Sequence, residues 1–262
     1  MPKYAVIGGS GVCDPSLLDN IHEKTVETTY GPATMYIGEY KGREVAFMAR
    51  HGSGHSVPPG KINYRANIQG LKDVGVEYII STSAVGSLQP DVPPGTFVLV
   101  DQFYDYTKAR EATFFDGGER GVAHIDVTEP YCPTLGPIVL EQGKGMNLDI
   151  KKEGVYVCCE GPRYETAAEV KLYQSFGGTV VGMTNVPECV LAREAEICYR
   201  TICIVTNFAA GISPTKLTHK EVVELMGERI EPLKKLVFAV LESIDDGERT
   251  CSCATALQGA SG

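Results

Sequence analysis

Apolar residues in this chain fall into short runs that end in glycine, proline or hydroxyl-bearing residues. Tyr4 to Ile7, Val45 to Ala49, Glu77 to Ile80, Thr96 to Val100, Val155 to Cys159, Thr179 to Met183 and Thr201 to Thr206 have the length and continuity of buried strands. Between them lie stretches with helical spacing. Tyr64, Ile68 and Leu71 make one such set; Val222, Met226, Ile230, Leu233, Val237, Val240 and Ile244 make another. Thr166-Ala167-Ala168-Glu169 and Thr218-His219-Lys220-Glu221 have the spacing of capping boxes, which predicts helix starts near Ala167 and His219. A further helix should follow Thr184-Asn185-Val186-Pro187 and run to about Ile197. Pro232 should kink the last helix or split it in two. Strands alternating with helices predict one α/β domain over residues 1–245, followed by a polar, frayed tail over 246–262. Residues 103–137 break the pattern. They are rich in aromatics and turn residues, which suits a lid or a subunit contact, with His124 near a ligand or a neighbouring chain.

Composition narrows this picture by exclusion. The net charge is −9 and no block of basic residues occurs, which argues against nucleic acid as a partner but leaves room for a small anion in a local pocket. No apolar run approaches the roughly 20 residues of a membrane helix, and the N-terminus enters a strand directly with no signal peptide. Nine cysteines, mostly inside apolar runs such as Cys158, Cys159, Cys198 and Cys203, read as buried free thiols of a reducing, cytoplasmic protein. No Cys/His group has zinc spacing, so no metal site is expected. Cys251-Ser252-Cys253 lies in the polar tail, either as a pair of exposed thiols or as a small-ring disulfide.

The candidate chemistry sits where the strands stop. Ser10 follows the first strand within Gly8-Gly9-Ser10-Gly11, a pattern that is neither a dinucleotide fingerprint nor a P-loop. Arg50-His51 ends the Val45 run, Ser83-Ala84 the Glu77 run, Thr184 the Thr179 run and Asn207 the Thr201 run, while Glu165 precedes a helix just after Val155 to Cys159. Each alone has a plain reading: a tight turn, a solvated loop, or a carboxylate that stabilises a helix end. Six of them at strand carboxyl ends point instead to one shared pocket, since that is where ligands collect in open α/β sheets. Arg50, His51, Ser10, Ser83, Ala84 and Thr184 suit an oxyanion; Glu165 and Asn207 suit the edge of a heterocyclic base.

Read together, these pieces resemble the trimeric-type purine nucleoside and methylthioadenosine phosphorylases. The resemblance covers nearly the whole chain and rests on Gly8-Gly9-Ser10-Gly11, Ala49-Arg50-His51-Gly52, Asn63-Tyr64-Arg65-Ala66-Asn67, Ser83-Ala84-Val85-Gly86-Ser87, Glu160-Gly161-Pro162-Arg163 and Gly182-Met183-Thr184-Asn185-Val186-Pro187-Glu188. It implies a mixed, twisted central sheet flanked by helices, and a reversible phosphorolysis in a salvage role. A purine nucleoside and inorganic phosphate, the co-substrate, would give free base and pentose 1-phosphate, with no cofactor. By similarity Ser10, Arg50, His51, Ser83, Ala84 and Thr184 would hold phosphate, Met183 would lie against the ribose, and His51, Glu165 and Asn207 would act in catalysis. Phe208 and Ala209 would lie beside the base. A homotrimer or dimer of trimers is implied, with His124 reaching toward a neighbour's site.

Substrate choice turns on a departure from one branch. Methylthioadenosine phosphorylases carry aspartates matching positions 207 and 209 and a serine matching 165; here stand Asn207, Ala209 and Glu165. A glutamate carboxylate accepts the N1–H of a 6-oxopurine, whereas adenine presents an acceptor there. The resemblance also places His219 on the 5′-hydroxyl, which favours inosine and guanosine. If His219 is only an exposed first-turn residue, S-methyl-5′-thioinosine becomes the substrate. A non-catalytic nucleoside- or phosphate-binding regulator is the reading from outside the enzymes.

Overall fold

The computed structural model describes residues 1–9, 12, 15, 17–52, 54, 56–213 and 219–260, with only the backbone course for 219–223. Ser10, Thr218 and the side chains of His219 and Glu221 therefore lie outside the described residues, and with them the second capping box. In chain order the elements are β1 (Tyr4–Gly8), β2 (Asp19–Thr28), β3 (Gly31–Tyr40), β4 (Arg43–Ala49), α1 (Tyr64–Asp73), β5 (Tyr78–Ser87), β6 (Phe97–Leu99), β7 (Gln102–Tyr106), α2 (Leu135–Gly145), β8 (Ile150–Lys151), β9 (Val155–Cys159), α3 (Ala167–Ser175), β10 (Val180–Gly182), α4 (Asn185–Glu194), β11 (Cys198–Phe208) and α5 (His219–Ser243).

The strands form one mixed sheet in the order β2-β3-β4-β1-β5-β10-β9-β7, with β11 on β5 and β6, and β8 on β6. Alternation along β1 explains its central place. Ala5 and Ile7 enter one apolar cluster, Tyr4 and Val6 another, so both faces are covered. Helices α1 and α4 pack on the first face through Ala66, Ile68, Leu71, Leu191 and Ala192. Helix α5 packs on the second through Leu233, Leu236, Val237 and Val240. It runs as one element with Pro232 inside, so the expected split does not occur.

One feature of this topology makes the site. Strand β5 pairs with β1 only as far as Ser81, and on that side the next partner is β10, antiparallel, from Gly86. On its other side β5 stays bonded to β11 throughout. The sheet therefore opens at Thr82–Val85, whose backbone on that side faces a gap rather than a strand. After β9, α3 starts at Ala167 with both halves of the Thr166–Glu169 capping box formed, which leaves Glu165 just ahead of the helix.

Two expectations need correction, and one element was not anticipated. Strand β2 carries no apolar alternation, because it is almost wholly exposed and polar, although its partner β3 does alternate through Ala33, Met35 and Ile37. The tail is not frayed: Cys253 and Ala260 are buried, Arg249 donates to the Glu196 carbonyl at 2.6 Å, and the His124 N–H donates to the Ala260 carbonyl at 2.8 Å. Nor are the tail thiols isolated. Sequence spacing showed no metal-ligand set, yet the fold brings Cys132, Cys198, Cys251 and Cys253 together, with all four Sγ atoms within 4.8 Å of one another. Spacing along the chain misses a cluster assembled from three separate segments.

Candidate active site

The opening in the sheet is a cavity of about 500 Å³, within the usual size of a small-molecule site. Arg50, His51, Ser83, Ala84, Thr184, Met183, Glu165 and Asn207 all line it, together with Gly9, Val57, Pro58, Pro59, Gly86, Pro162, Tyr164, Val181 and Thr206. Residues far apart in the chain thus converge on one space. Gly9 is required by close approach: a Cβ there would sit 2.7 Å from the Thr82 carbonyl oxygen and 3.1 Å from Arg50 Nη1. At Gly161, φ is +68° and a Cβ would meet Met183 Sδ at 2.5 Å, so glycine lets the loop after β9 close over Met183.

Arg50 is held from all sides. It leaves β4 buried, its Nε donating to Glu188 Oε2 at 2.5 Å, Nη2 to Glu188 Oε1 at 2.8 Å and to Ser81 Oγ at 2.6 Å, and Nη1 to the Thr82 carbonyl at 3.1 Å. Among the described residues those bonds use four of its five N–H groups and leave one Nη1 hydrogen. Burial disfavours its charge, but the Glu188 carboxylate outweighs that and keeps the guanidinium protonated far above its ordinary range. Since Glu188 already matches the charge, an anion held in this half would depend on aimed donors more than on excess charge. Ser83 Oγ lies 3.1 Å from the buried Tyr156 hydroxyl. His51 Nδ1 donates to the Val57 carbonyl at 2.9 Å, which fixes the ring in the wall. Thr184 sits just before α4 but makes no side-chain cap, and Val186 is extended, so the anticipated helix N-terminus is interrupted there. Thr184 lines the cavity and leaves the helix end without a side-chain cap.

The base-edge half is built differently. Glu165 is 9% exposed, and burial pushes its carboxyl above the ordinary glutamate value against the opposing pull of its own backbone N–H and the Cys159 thiol. Among the described residues it has no salt-bridge partner. Asn207 is fixed by its neighbours: the Thr206 hydroxyl donates to Oδ1 at 2.8 Å and Nδ2 donates to the Phe208 carbonyl at 3.0 Å. One Nδ2 hydrogen then remains to point at a ligand. Phe208 and Ala209 do not line the cavity; Ala209 is buried in the cluster beneath it, with Val181 and Cys159. His124 is exposed and lies outside this cavity's lining.

The comparisons with known proteins agree with this architecture. Residues 3–242 match the family model described as the phosphorylase superfamily. A probable 6-oxopurine nucleoside phosphorylase of Thermococcus kodakarensis is 55% identical, with 100% of both chains covered. A 6-oxopurine nucleoside phosphorylase of Pyrococcus furiosus is 52% identical, again with 100% of both covered. Among solved structures, the methylthioadenosine phosphorylase of Schistosoma mansoni, in complex with adenine, superposes with a TM-score of 0.92 at 31% identity, covering 99% of this chain and 97% of that one. The chain belongs to the phosphorylase superfamily.

Within that superfamily frame, three residues emerge that the sequence reading passed over. Glu188 was only part of a matching motif. In the fold it accepts from Arg50, Ser81 Oγ (2.8 Å) and the Tyr199 hydroxyl (2.7 Å), and so orients the arginine. Tyr156 contacts both Ser83 and, at 3.4 Å, the Thr184 N–H. Arg110, in the irregular stretch, donates to the carbonyls of Met183 and Val186 at 2.7 Å each, of Glu160 at 2.8 Å and of Cys159 at 3.2 Å. It clamps the ends of β9 and β10 together behind the cavity. A charged residue next to Pro187, and an arginine inside an aromatic loop, were the available signals.

Proposed function

We propose that the protein is a purine nucleoside phosphorylase acting on 6-oxopurine nucleosides, inosine and guanosine, and giving free base and ribose 1-phosphate. The observation that carries this reading is the meeting of Glu165, Asn207 and Arg50 in one cavity. The high identity to relatives named for 6-oxopurine nucleosides supports it. Phosphate lies in the half walled by Arg50, His51, Ser83, Ala84 and Thr184, which also suits Ser10. The ribose lies against Met183, and the base reaches Glu165 and Asn207. As the C1′–N9 bond stretches, the sugar becomes oxocarbenium-like and phosphate oxygen attacks the opposite face. Negative charge gathers on the departing base. The remaining Asn207 Nδ2 hydrogen, held in place by Thr206 and Phe208, donates to N7 or O6 as that charge grows. The Glu165 carboxylate accepts N1–H, a donor that adenine lacks. No cofactor enters this scheme.

A second reading has one observation in its favour. Val57, Pro58 and Pro59 give the cavity an apolar flank, which would accept a 5′-methylthio group, so S-methyl-5′-thioinosine is the alternative substrate. Exposed Tyr104, Tyr106, Tyr164 and Leu172 support self-association as the homotrimer or dimer of trimers, which light scattering tests. No described helix is long and apolar enough to cross a membrane; the cytoplasm remains the proposed location. The deciding assay follows phosphorolysis of inosine, guanosine, adenosine, S-methyl-5′-thioinosine and S-methyl-5′-thioadenosine. Phosphate-dependent release of hypoxanthine from inosine with little turnover of adenosine is expected. Cleavage that ignores phosphate, or tight nucleoside binding without turnover, sinks the reading; a higher kcat/KM for the methylthio substrate selects the alternative.

A further inference from the structure

The four converging cysteines lie well away from this chemistry. Cys198 is the first residue of β11, whereas Asn207 is near its last, so the thiols occupy the opposite end of the strand. Cys132 precedes α2 and is held to β11 by its N–H, which donates to the Tyr199 carbonyl at 2.9 Å. Cys251 and Cys253 come from the docked tail, around a 3-10 turn at Ser252–Thr255. Cys253, Cys132 and Cys198 are buried and Cys251 is half-buried. Cys251 Sγ lies 3.3 Å from Cys198 Sγ and 3.9 Å from Cys132 Sγ.

We propose that Cys132, Cys198, Cys251 and Cys253 form a tetrathiolate site for a thiophilic divalent cation of the zinc class, which pins the C-terminal segment to the foot of β11. Four thiols packed only against each other gain little, since S–H is a weak donor and sulfur a weak acceptor. A tetrahedral centre with metal–sulfur bonds of about 2.3 Å has sulfur–sulfur edges of roughly 3.8 Å, and the four atoms here already lie within 4.8 Å of one another. A pair of disulfides would instead bring the sulfurs together two by two. Four sulfur ligands with no open position make a structural rather than a catalytic centre.

The surroundings fit the charge of such a centre. A divalent cation with four thiolates carries two net negative charges. Arg193 Nη1 lies 3.8 Å from Cys253 Sγ, and Arg200, whose Nε has no hydrogen-bond partner among the described residues, lies within electrostatic reach of Cys132. The tail is already aligned by Arg249 on the Glu196 carbonyl and by the Leu257 N–H, which donates to Glu196 Oε1 at 3.3 Å. Binding displaces four thiol protons and needs no oxidant, because sulfur keeps its oxidation state.

The test uses the full-length protein purified without chelator, in parallel with and without reductant. Elemental analysis should find one zinc per chain. Exchange into cobalt(II) should give thiolate-to-metal charge-transfer bands and the intense visible bands of tetrahedral cobalt. Cys253→Ser should lose those bands and lower Tm by roughly 5 °C or more, while phosphorolysis at moderate temperature survives. The spectrum of the parent protein decides the matter even if the variant fails to fold. Absence of zinc together with absence of cobalt bands overturns the proposal. So does a metal-free parent whose mass is lower by four hydrogens until it is reduced, because that protein has two disulfides. None of these readouts depends on nucleoside cleavage, so the site stands or falls apart from the proposed function.

Discussion

Two buried glutamates line or support the same cavity, and their surroundings are opposites. Glu188 is saturated: Arg50, Ser81 and Tyr199 all donate to it. Glu165 is buried to a similar degree, yet among the described residues no cation pairs with it, and burial pushes its carboxyl up. A saturated carboxylate orients other groups and has no acceptor capacity left for a ligand. An unsaturated one stores an unmet demand that a donor on the substrate can meet. Under the proposed function, the contrast gives Glu188 a scaffold role beside Arg50 and leaves Glu165 to meet the base. Parallel glutamate-to-glutamine substitutions should therefore fail in different ways.

The largest effect on folding is expected at Glu188. Glu188→Gln leaves Arg50 charged and uncompensated in a buried place, a change that typically costs about 3–5 kcal/mol. Denaturant unfolding should show that loss, and added phosphate should restore more stability than in the parent, because the anion then meets an unmatched guanidinium. An unchanged unfolding midpoint would show that Arg50 is not held by this pair. At Glu165 the pattern inverts. Glu165→Gln abandons no cation, so stability should stay within about 1 kcal/mol of the parent. kcat/KM for inosine should fall by about 10²–10³, the usual loss when a transition-state hydrogen bond is removed. Equal losses of stability at both positions would erase the distinction between scaffold and recognition.

The legibility of the two halves in the sequence differs for the same physical reason. Apolar runs that stop marked Arg50-His51 at the end of β4 and Thr184 just past β10. Ser83-Ala84 and Asn207, expected at strand ends, instead lie inside β5 and β11, because both strands run on through small and polar residues that carry no apolar signal. The Thr166–Glu169 spacing fixed where α3 begins and hence where Glu165 hangs. Partners that act across the fold leave no such mark. Nothing local says that Glu188 will reach back to a residue 138 positions earlier. The same holds for Arg110, which closes the ends of β9 and β10 through backbone carbonyls that any sequence possesses. It holds again for the four cysteines, whose convergence depends on a tail that composition alone suggested would be loose. The β2–β3 hairpin escaped for another reason: its outer strand buries nothing and so carries no periodic signal.

A smaller effect would sharpen the base half. Asn207→Asp with Ala209→Asp converts a fixed amide donor into an acceptor that can hold a proton on N7. The ratio of kcat/KM for adenosine to that for inosine should rise. Ala209 is buried beneath the cavity rather than in its lining, so the second aspartate acts through position 207. Some stability should be lost, about 1–3 kcal/mol for a buried polar group without a full set of partners. An unchanged base preference would remove Asn207 from base recognition.

The smallest effect is a shift along the pH axis, and its sign follows from Glu165 alone. The carboxylate, not the carboxylic acid, accepts N1–H of a 6-oxopurine. Burial raises the carboxyl above the ordinary glutamate value, so the accepting form is present at high pH and is lost as pH falls through that raised value. The acid limb of kcat/KM for inosine should therefore begin at a less acidic pH than an ordinary glutamate would give. Folding linkage runs the other way: a carboxyl raised in the folded state favours folding more as pH falls through the raised value, so the lost activity cannot be ascribed to unfolding at this residue. Glu165→Gln, already slow, should show that limb flattened while Glu188→Gln keeps it. A limb that survives unchanged in Glu165→Gln would mean that another group titrates there, and the distinction between the two glutamates would have to rest on stability alone.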